Sequence, residues 1–144
     1  MTARHVETLF CDDIRQEVAG KVSFIGVYSS NLFVQGFPVV LPKLCLAVKL
    51  VAAADDQMDR IRLHVLKDEE LVREMIVDEQ QLAAASDTAE DGPNDAESHQ
   101  FQVTQFFVVF SPMHFESPCT LRVRMQVDDQ EMHGVGLAVA KSPD

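Results

Sequence analysis

The chain has no tryptophan, one tyrosine and three cysteines in 144 residues. Cys11, Cys45 and Cys119 are odd in number and far apart, with no Cys-x-x-Cys pair among them. That spacing points away from a zinc ribbon and from the disulfide framework of a small secreted domain. Reduced thiols acting as small core hydrophobes are expected instead. Long apolar runs are missing too. Leu44 to Ala54 is the longest, and Lys49 interrupts it, well short of the roughly 20 residues a membrane-spanning helix needs. Met1 to Glu7 contains no apolar core and no small-residue cleavage site, so a secretory leader is not expected and cytoplasmic residence is.

Positive charge is scarce. Twelve Lys and Arg stand against 23 Asp and Glu, for a net charge of −11. Nucleic-acid binders draw affinity from clustered cations, so this balance argues against direct nucleic-acid binding and favours a basic or neutral protein as partner.

Reaction motifs are also lacking. His5, His64, His99, His114 and His133 show no His-x-x-x-His spacing, and Ser23, Ser29, Ser30 and Ser111 lie outside any Gly-x-Ser-x-Gly elbow. Gly20-Lys21 lacks the earlier glycine of a phosphate loop, and Val22 stands where a Ser or Thr would hold magnesium. Cys11, Asp12 and Asp13 offer metal-ligating atoms, but consecutive strand residues alternate faces and do not converge on an ion. No catalytic residue, cofactor or metal ligand is therefore assigned.

What is present is a folding composition. Hydrophobic residues make up 47% and charged residues 24%, as in a soluble globular protein. The length suits one domain over residues 1–144, able to bury roughly 70% of the surface its unfolded form exposes.

Hydrophobic periodicity favours strands throughout. "TLRVRMQV" (120–127) alternates Leu121, Val123, Met125 and Val127 with polar residues, and "DDQE" then turns it into "MHGVGLAVA" (132–140), a hairpin pattern. "KLCLAVKLV" (43–51) sets Leu44, Leu46, Val48 and Leu50 on one side, and "RIRLHVL" (60–66) does the same with Ile61, Leu63 and Val65. "ELVREMIV" (70–77) also fits a helical stripe, but its spacing from the preceding strand suits a β-meander. "FQVTQFFVVF" (101–110) is rich in aromatic and β-branched residues, as strands are. Val6–Phe10 and Lys21–Tyr28 are short strand candidates joined through "DDIRQEVAG", with Gly20 in the turn.

About eight short strands punctuated by Pro and Gly predict an all-β fold, an antiparallel β-sandwich. "FESPCTLRVRMQVDDQEMHGVGLAV" is similar to the closing strands of immunoglobulin-like or fibronectin-like sandwiches, without the Trp and Cys pair of antibody domains. Residues 83–100 hold five acids and no Lys or Arg around Gly92-Pro93, a composition that predicts a mobile acidic loop within the domain.

The densest set of chemically capable side chains lies near the N-terminus: Asp12, Asp13, Arg15, Glu17 and Lys21. These are the candidate binding residues, and capping of a turn with Asp–Arg pairing is the structural alternative for them. On the strands, Arg60, Arg62 and His64 share one outward face and Arg122 and Arg124 another. They form a basic patch if the two strands share a sheet, with pairing to the abundant acids as their expected fate.

Residues 10–44 carry Cys11-Asp12-Asp13-Ile14-Arg15, Glu17, Gly20-Lys21, Ser23, Ile25-Gly26-Val27-Tyr28 and Leu41-Pro42-Lys43-Leu44. This pattern resembles the opening of a family of small bacterial proteins known only as a domain of unknown function. The resemblance implies a bacterial, soluble, stand-alone domain and no assigned reaction.

Three functions follow in order of preference. The first is a non-enzymatic protein-protein interaction module using the N-terminal segment or the acidic loop. The second is an acidic nucleic-acid mimic or inhibitor of a basic protein. The third is a small-ligand-binding protein or enzyme with Asp12, Asp13 and Arg15 in a pocket. Homo-oligomerisation stays open, with Phe33, Phe37, Val39 and Val40 forming either a dimer patch or the closure of one end of the core.

Overall fold

A computed structural model describes residues 4–78 and 101–143. The predicted acidic loop at 83–100 and the helical alternative at 79–85 lie outside the described residues.

The described chain is all-β, with strands β1 His5–Gln16, β2 Val22–Val27, β3 Asn31–Val34, β4 Val39–Leu41, β5 Leu44–Ala53, β6 Ile61–Lys67, β7 Glu70–Val77, β8 Phe101–Phe110, β9 Met113–Phe115, β10 Cys119–Val127, β11 Gln130–His133 and β12 Leu137–Lys141. Twelve strands, not about eight, form among the described residues. The difference comes from short segments with little periodicity of their own, such as β9, β3 with Phe33, and β4 with Val39 and Val40, the last two in the region expected to be a loop. β7 forms as a strand, as the meander spacing predicts.

One sheet, sheet A, has the antiparallel order β2-β1-β5-β8. The other, sheet B, has the order β3-β12-β10-β6-β7, with β11 also on β10 and a parallel pair at β3-β12. β4 and β9 make a small separate ribbon. Both large sheets turn their alternating apolar residues into one shared cluster. Leu44, Leu46 and Val48 of β5 are fully buried there with Ile61 and Val65 of β6 and Leu121, Met125 and Val127 of β10. Burying each such side chain contributes roughly 1.5–3 kcal/mol before entropy is counted, so this shared interior holds the sheets together.

Two aspartates set the register of sheet B. Asp68 and Asp128 open the two-residue turns β6–β7 and β10–β11 with φ of 55° and 52°, a conformation Asp tolerates and hairpin turns demand. Each then caps a neighbouring strand. Asp128 Oδ1 accepts from the backbone N–H of Asp59 and Arg60, both at 3.0 Å, and Asp68 Oδ1 accepts from that of Thr120 at 3.0 Å. At the far end of sheet A, Arg4 holds Asp56 through Nε–Oδ2 at 2.8 Å and Nη2–Oδ1 at 2.9 Å. Its Nη1 also donates to the Val127 carbonyl at 3.3 Å, tying the start of β1 to sheet B.

The N-terminal hairpin corrects one expectation. Asp12 to Gln16 do not belong to a turn; they continue β1 to its full 12 residues. The reversal is confined to Glu17–Lys21, where Glu17 N–H donates to the Lys21 carbonyl at 2.7 Å. Ala19 and Gly20 take the left-handed conformation there, with φ of 66° and 73°. Left-handed backbone suits Gly20, and the three residues Val18–Gly20 join the two strands.

Candidate functional site

The far half of the β1–β2 hairpin folds back over the outer face of sheet A. Phe24 pairs with Ile14, five residues past Leu9, yet its ring packs on Phe107, which stands level with Leu9 through Ala47; the centroids are 6.4 Å apart. A hairpin running straight off the sheet cannot make that contact. Beneath the fold, Cys11 and Cys45 sit opposite one another on β1 and β5, both completely buried. The Cys11 thiol donates to the Asp13 carbonyl at 3.3 Å and that of Cys45 to the Asp12 carbonyl at 3.8 Å. Burial pushes the Cys11 thiol up to about 11, and burial also raises Cys45 and the half-buried Cys119. All three thiols are free and held in their unreactive protonated form.

The five predicted residues line this hairpin, but they do not converge. The Asp12 carboxylate accepts the Tyr28 hydroxyl at 2.5 Å. It lies over Gly26, whose φ is +70° and where an added Cβ would stand 2.8 Å from Asp12 Cγ. The Asp13 carboxylate turns the other way, to Lys43 Nζ at 2.6 Å and to the N–H of Ile14 at 2.9 Å. The Lys43 hydrogen bond holds the Asp13 carboxyl below its ordinary range, and the same bond raises Lys43. Tyr28 is pushed up to about 12, first by burial and then by its bond to Asp12. Arg15 stands 3.9 Å from Glu17 and is largely exposed. Lys21 is exposed and has no ion pair among the described residues.

Much of the quoted N-terminal pattern is thus one bracing network. Asp12, Gly26 and Tyr28 form one contact set, Asp13 and Lys43 a second, Gly20 makes the turn, and Cys11 lies underneath. The sequence groups these residues but does not show that Tyr28 and Lys43 are the partners of the two aspartates, because those contacts span 16 and 30 residues.

Several apolar side chains of this hairpin are exposed. Val18 in the turn is 85% exposed, beside Glu17 and Lys21 in the chain, and on β2 Ile25, opposite Asp13, is 43% and Val27, opposite Cys11, 53% exposed. The one readable signal was the Ile25-Gly26-Val27 sequence, where a left-handed glycine disturbs the regular strand. Two surface clefts among the described residues lie away from Asp12, Asp13, Arg15, Glu17 and Lys21. One lies among Lys67, Asp68, His114 and Cys119, the other among Arg60, Arg62, Gln126 and Asp128. Among the described residues no group of three His, Cys, Asp or Glu side chains is placed to hold a metal ion.

The basic patch does form, because β6 and β10 are neighbours in sheet B. Arg62 stands opposite Gln126 and His64 opposite Arg124. Pairing with acids is only partial. Arg124 meets Glu131 at 2.9 Å and His64 meets Glu74 at 2.6 Å. Arg60, Arg62 and Arg122 have no ion pair among the described residues, and Arg62 Nε is buried without a hydrogen-bond partner.

The match to a family model settles membership. Residues 8–140 match the model of DUF6941, a family of unknown function. The chain belongs to DUF6941. The matched span runs from the middle of β1 to the end of β12, so the family's shared unit contains both sheets and the braced hairpin together. No curated protein matches the chain. No helix among the described residues is long and apolar enough to cross a membrane.

Proposed function

We propose that this DUF6941 domain is a non-catalytic binding module that docks a partner protein on its β1–β2 hairpin. The observation that carries the reading is the exposure of Val18, Ile25 and Val27 on a hairpin fixed by polar pairs on both faces. Exposed apolar side chains interspersed with charged ones are the usual composition of a protein contact. Asp12 and Asp13 brace the surface, while Arg15, Glu17 and Lys21 form its polar rim and select the partner. Holding the hairpin rigid lowers the ordering entropy that binding costs.

The two alternatives have less support. An enzyme or small-ligand site needs Asp12, Asp13 and Arg15 to face a common cavity, and their side chains diverge on an exposed hairpin. A nucleic-acid mimic needs contiguous negative surface, whereas the outer face of sheet B displays Arg60, Arg62 and Arg122. Two sheets sharing one core support the sandwich reading, with the likeness to immunoglobulin or fibronectin domains resting on the closing β10–β12 strands. Three free thiols suit a reducing compartment, and we read the protein as a bacterial, cytoplasmic one.

Affinity capture with crosslinking from a bacterial lysate tests the function. A stoichiometric protein retained by the wild type and lost with the Val18→Asp, Ile25→Asp double variant is the expected result. Capture of no such protein, or equal capture by the variant, contradicts it.

A further inference from the structure

β8 closes one edge of sheet A, and strand alternation tells which of its main-chain groups are free. Tyr28 N–H donates to the Phe10 carbonyl at 2.9 Å, so Phe10 turns its peptide groups toward β2, and its neighbours Leu9 and Cys11 turn theirs toward β5. Cys11 stands opposite Cys45. Cys45 and Ala47 therefore point their peptide groups at β1, and Leu44, Leu46, Val48 and Leu50 point theirs at β8. The partners of those four, Phe110, Val108, Phe106 and Thr104, are bonded within the sheet. Val103, Gln105, Phe107 and Val109 are left facing outward. Arg73 on β7 agrees with this parity, since its Nη2 donates to the Val109 carbonyl at 3.4 Å from outside sheet A.

Apart from Arg73 at its Val109 end, this edge carries none of the usual protections among the described residues. Natural sheets guard open edges with charge, proline or a bulge. "FQVTQFFVVF" contains neither charge nor proline, and it pairs with β5 over ten consecutive residues without a register shift. Phe101 is 62% exposed, Val103 57% and Val109 41%.

We propose that β8 pairs with the β8 of a second copy of this chain, antiparallel about a two-fold axis through Gln105. The strand is self-complementary in that register. Gln105 meets its own counterpart, Val103 stands opposite the partner's Phe107, and Phe101 opposite the partner's Val109. Each apolar pair joins an aromatic to a β-branched side chain, a favourable cross-strand combination, and no like charges meet. All these residues are of the outward parity, so the pairing uses main-chain groups that sheet A leaves unbonded among the described residues, up to about ten hydrogen bonds once the Val109 carbonyl exchanges Arg73 for the partner strand. The two four-stranded sheets become one, through an isologous contact that closes at two copies. The symmetric apolar pattern selects a second copy over an unrelated strand, which would need no such symmetry. The proposal does not rest on the hairpin reading, because it uses the outward main-chain groups of β8, which the Phe24–Phe107 ring contact does not involve.

Sedimentation velocity on the full chain at tens of micromolar tests it. The wild type is expected to sediment as twice its 16.1 kDa mass. Gln105→Pro removes an N–H that the sheet does not use and leaves the β5–β8 ladder whole, as a proline on an open edge does. It is expected to be a monomer with an unchanged far-ultraviolet spectrum. Val103→Lys alters only an exposed side chain and is expected to be a monomer as well, so it decides the matter should the proline variant lose folded content. A wild type that stays monomeric over that range overturns the proposal, and so does a Val103→Lys variant that dimerises like the wild type.

Discussion

The Asp12 carboxylate lies directly over Gly26 and accepts the hydroxyl of Tyr28. Since Tyr28 is the sole tyrosine and tryptophan is absent, its ionisation can be followed by ultraviolet absorbance without interference. The wild type should ionise near 12. Asp12→Ala should lower that value while leaving it above the ordinary 10, because burial is the larger cause. A raised value in the folded state means that the neutral phenol favours folding. That stability is complete below about pH 10 and is lost as pH rises through about 12. Gly26→Ala should displace Asp12, shift the titration in the same direction and destabilise by about 1–2 kcal/mol through its left-handed backbone. An ordinary tyrosine titration in the wild type would refute the contact.

The three thiols should differ in reactivity. Cys11 and Cys45 are fully buried under the hairpin, while Cys119 is half-buried. A thiol reagent at pH 8 should modify Cys119 first and leave the other two protected, and guanidinium should expose all three. Reaction of Cys11 or Cys45 in the native protein at the rate seen in denaturant contradicts the folded-back hairpin.

The Arg4–Asp56 clamp predicts an acid-sensitive contribution to stability. Its hydrogen bond holds the Asp56 carboxyl below the ordinary carboxylate range. The clamp therefore contributes fully above about pH 4, and its contribution is lost as pH falls through the lower folded-state value. Asp56→Asn should cost about 1–2 kcal/mol at neutral pH, the worth of charge-assisted bonds in this partly buried setting. Chemical denaturation at successive pH values should show the difference between variant and wild type closing as the solution is acidified. A gap constant down to pH 3 contradicts it.

Much of the fold is legible because alternation is a local signal. Leu44, Leu46 and Val48, or Ile61, Leu63 and Val65, announce both strand and buried face, and the turn residues Asp68 and Asp128 lie between such runs. β1 was less readable. The turn-like composition of Asp12 to Gln16 conceals a strand whose polar residues are satisfied from β2 and from Lys43, contacts no local pattern reveals. The site followed the same division. Asp12, Asp13, Arg15, Glu17 and Lys21 are close in sequence and lie on one hairpin. Yet the exposure of Val18, Ile25 and Val27 depends on where that hairpin folds, which is decided by Phe24 meeting Phe107 from a distant strand. The arginine face was readable only conditionally, since pairing of β6 with β10 is a matter of topology.

The most direct test of the account is a binding titration of the captured, purified partner against three forms of the full chain: wild type, Val18→Asp and Val135→Asp. Val135 is 70% exposed but lies on the β11–β12 connection, so it controls for placing a charge at an exposed valine. The account predicts equal affinity for wild type and Val135→Asp, and an affinity at least about tenfold weaker for Val18→Asp, a loss of about 1.4 kcal/mol. Equal affinity for all three forms would contradict the hairpin as the docking surface.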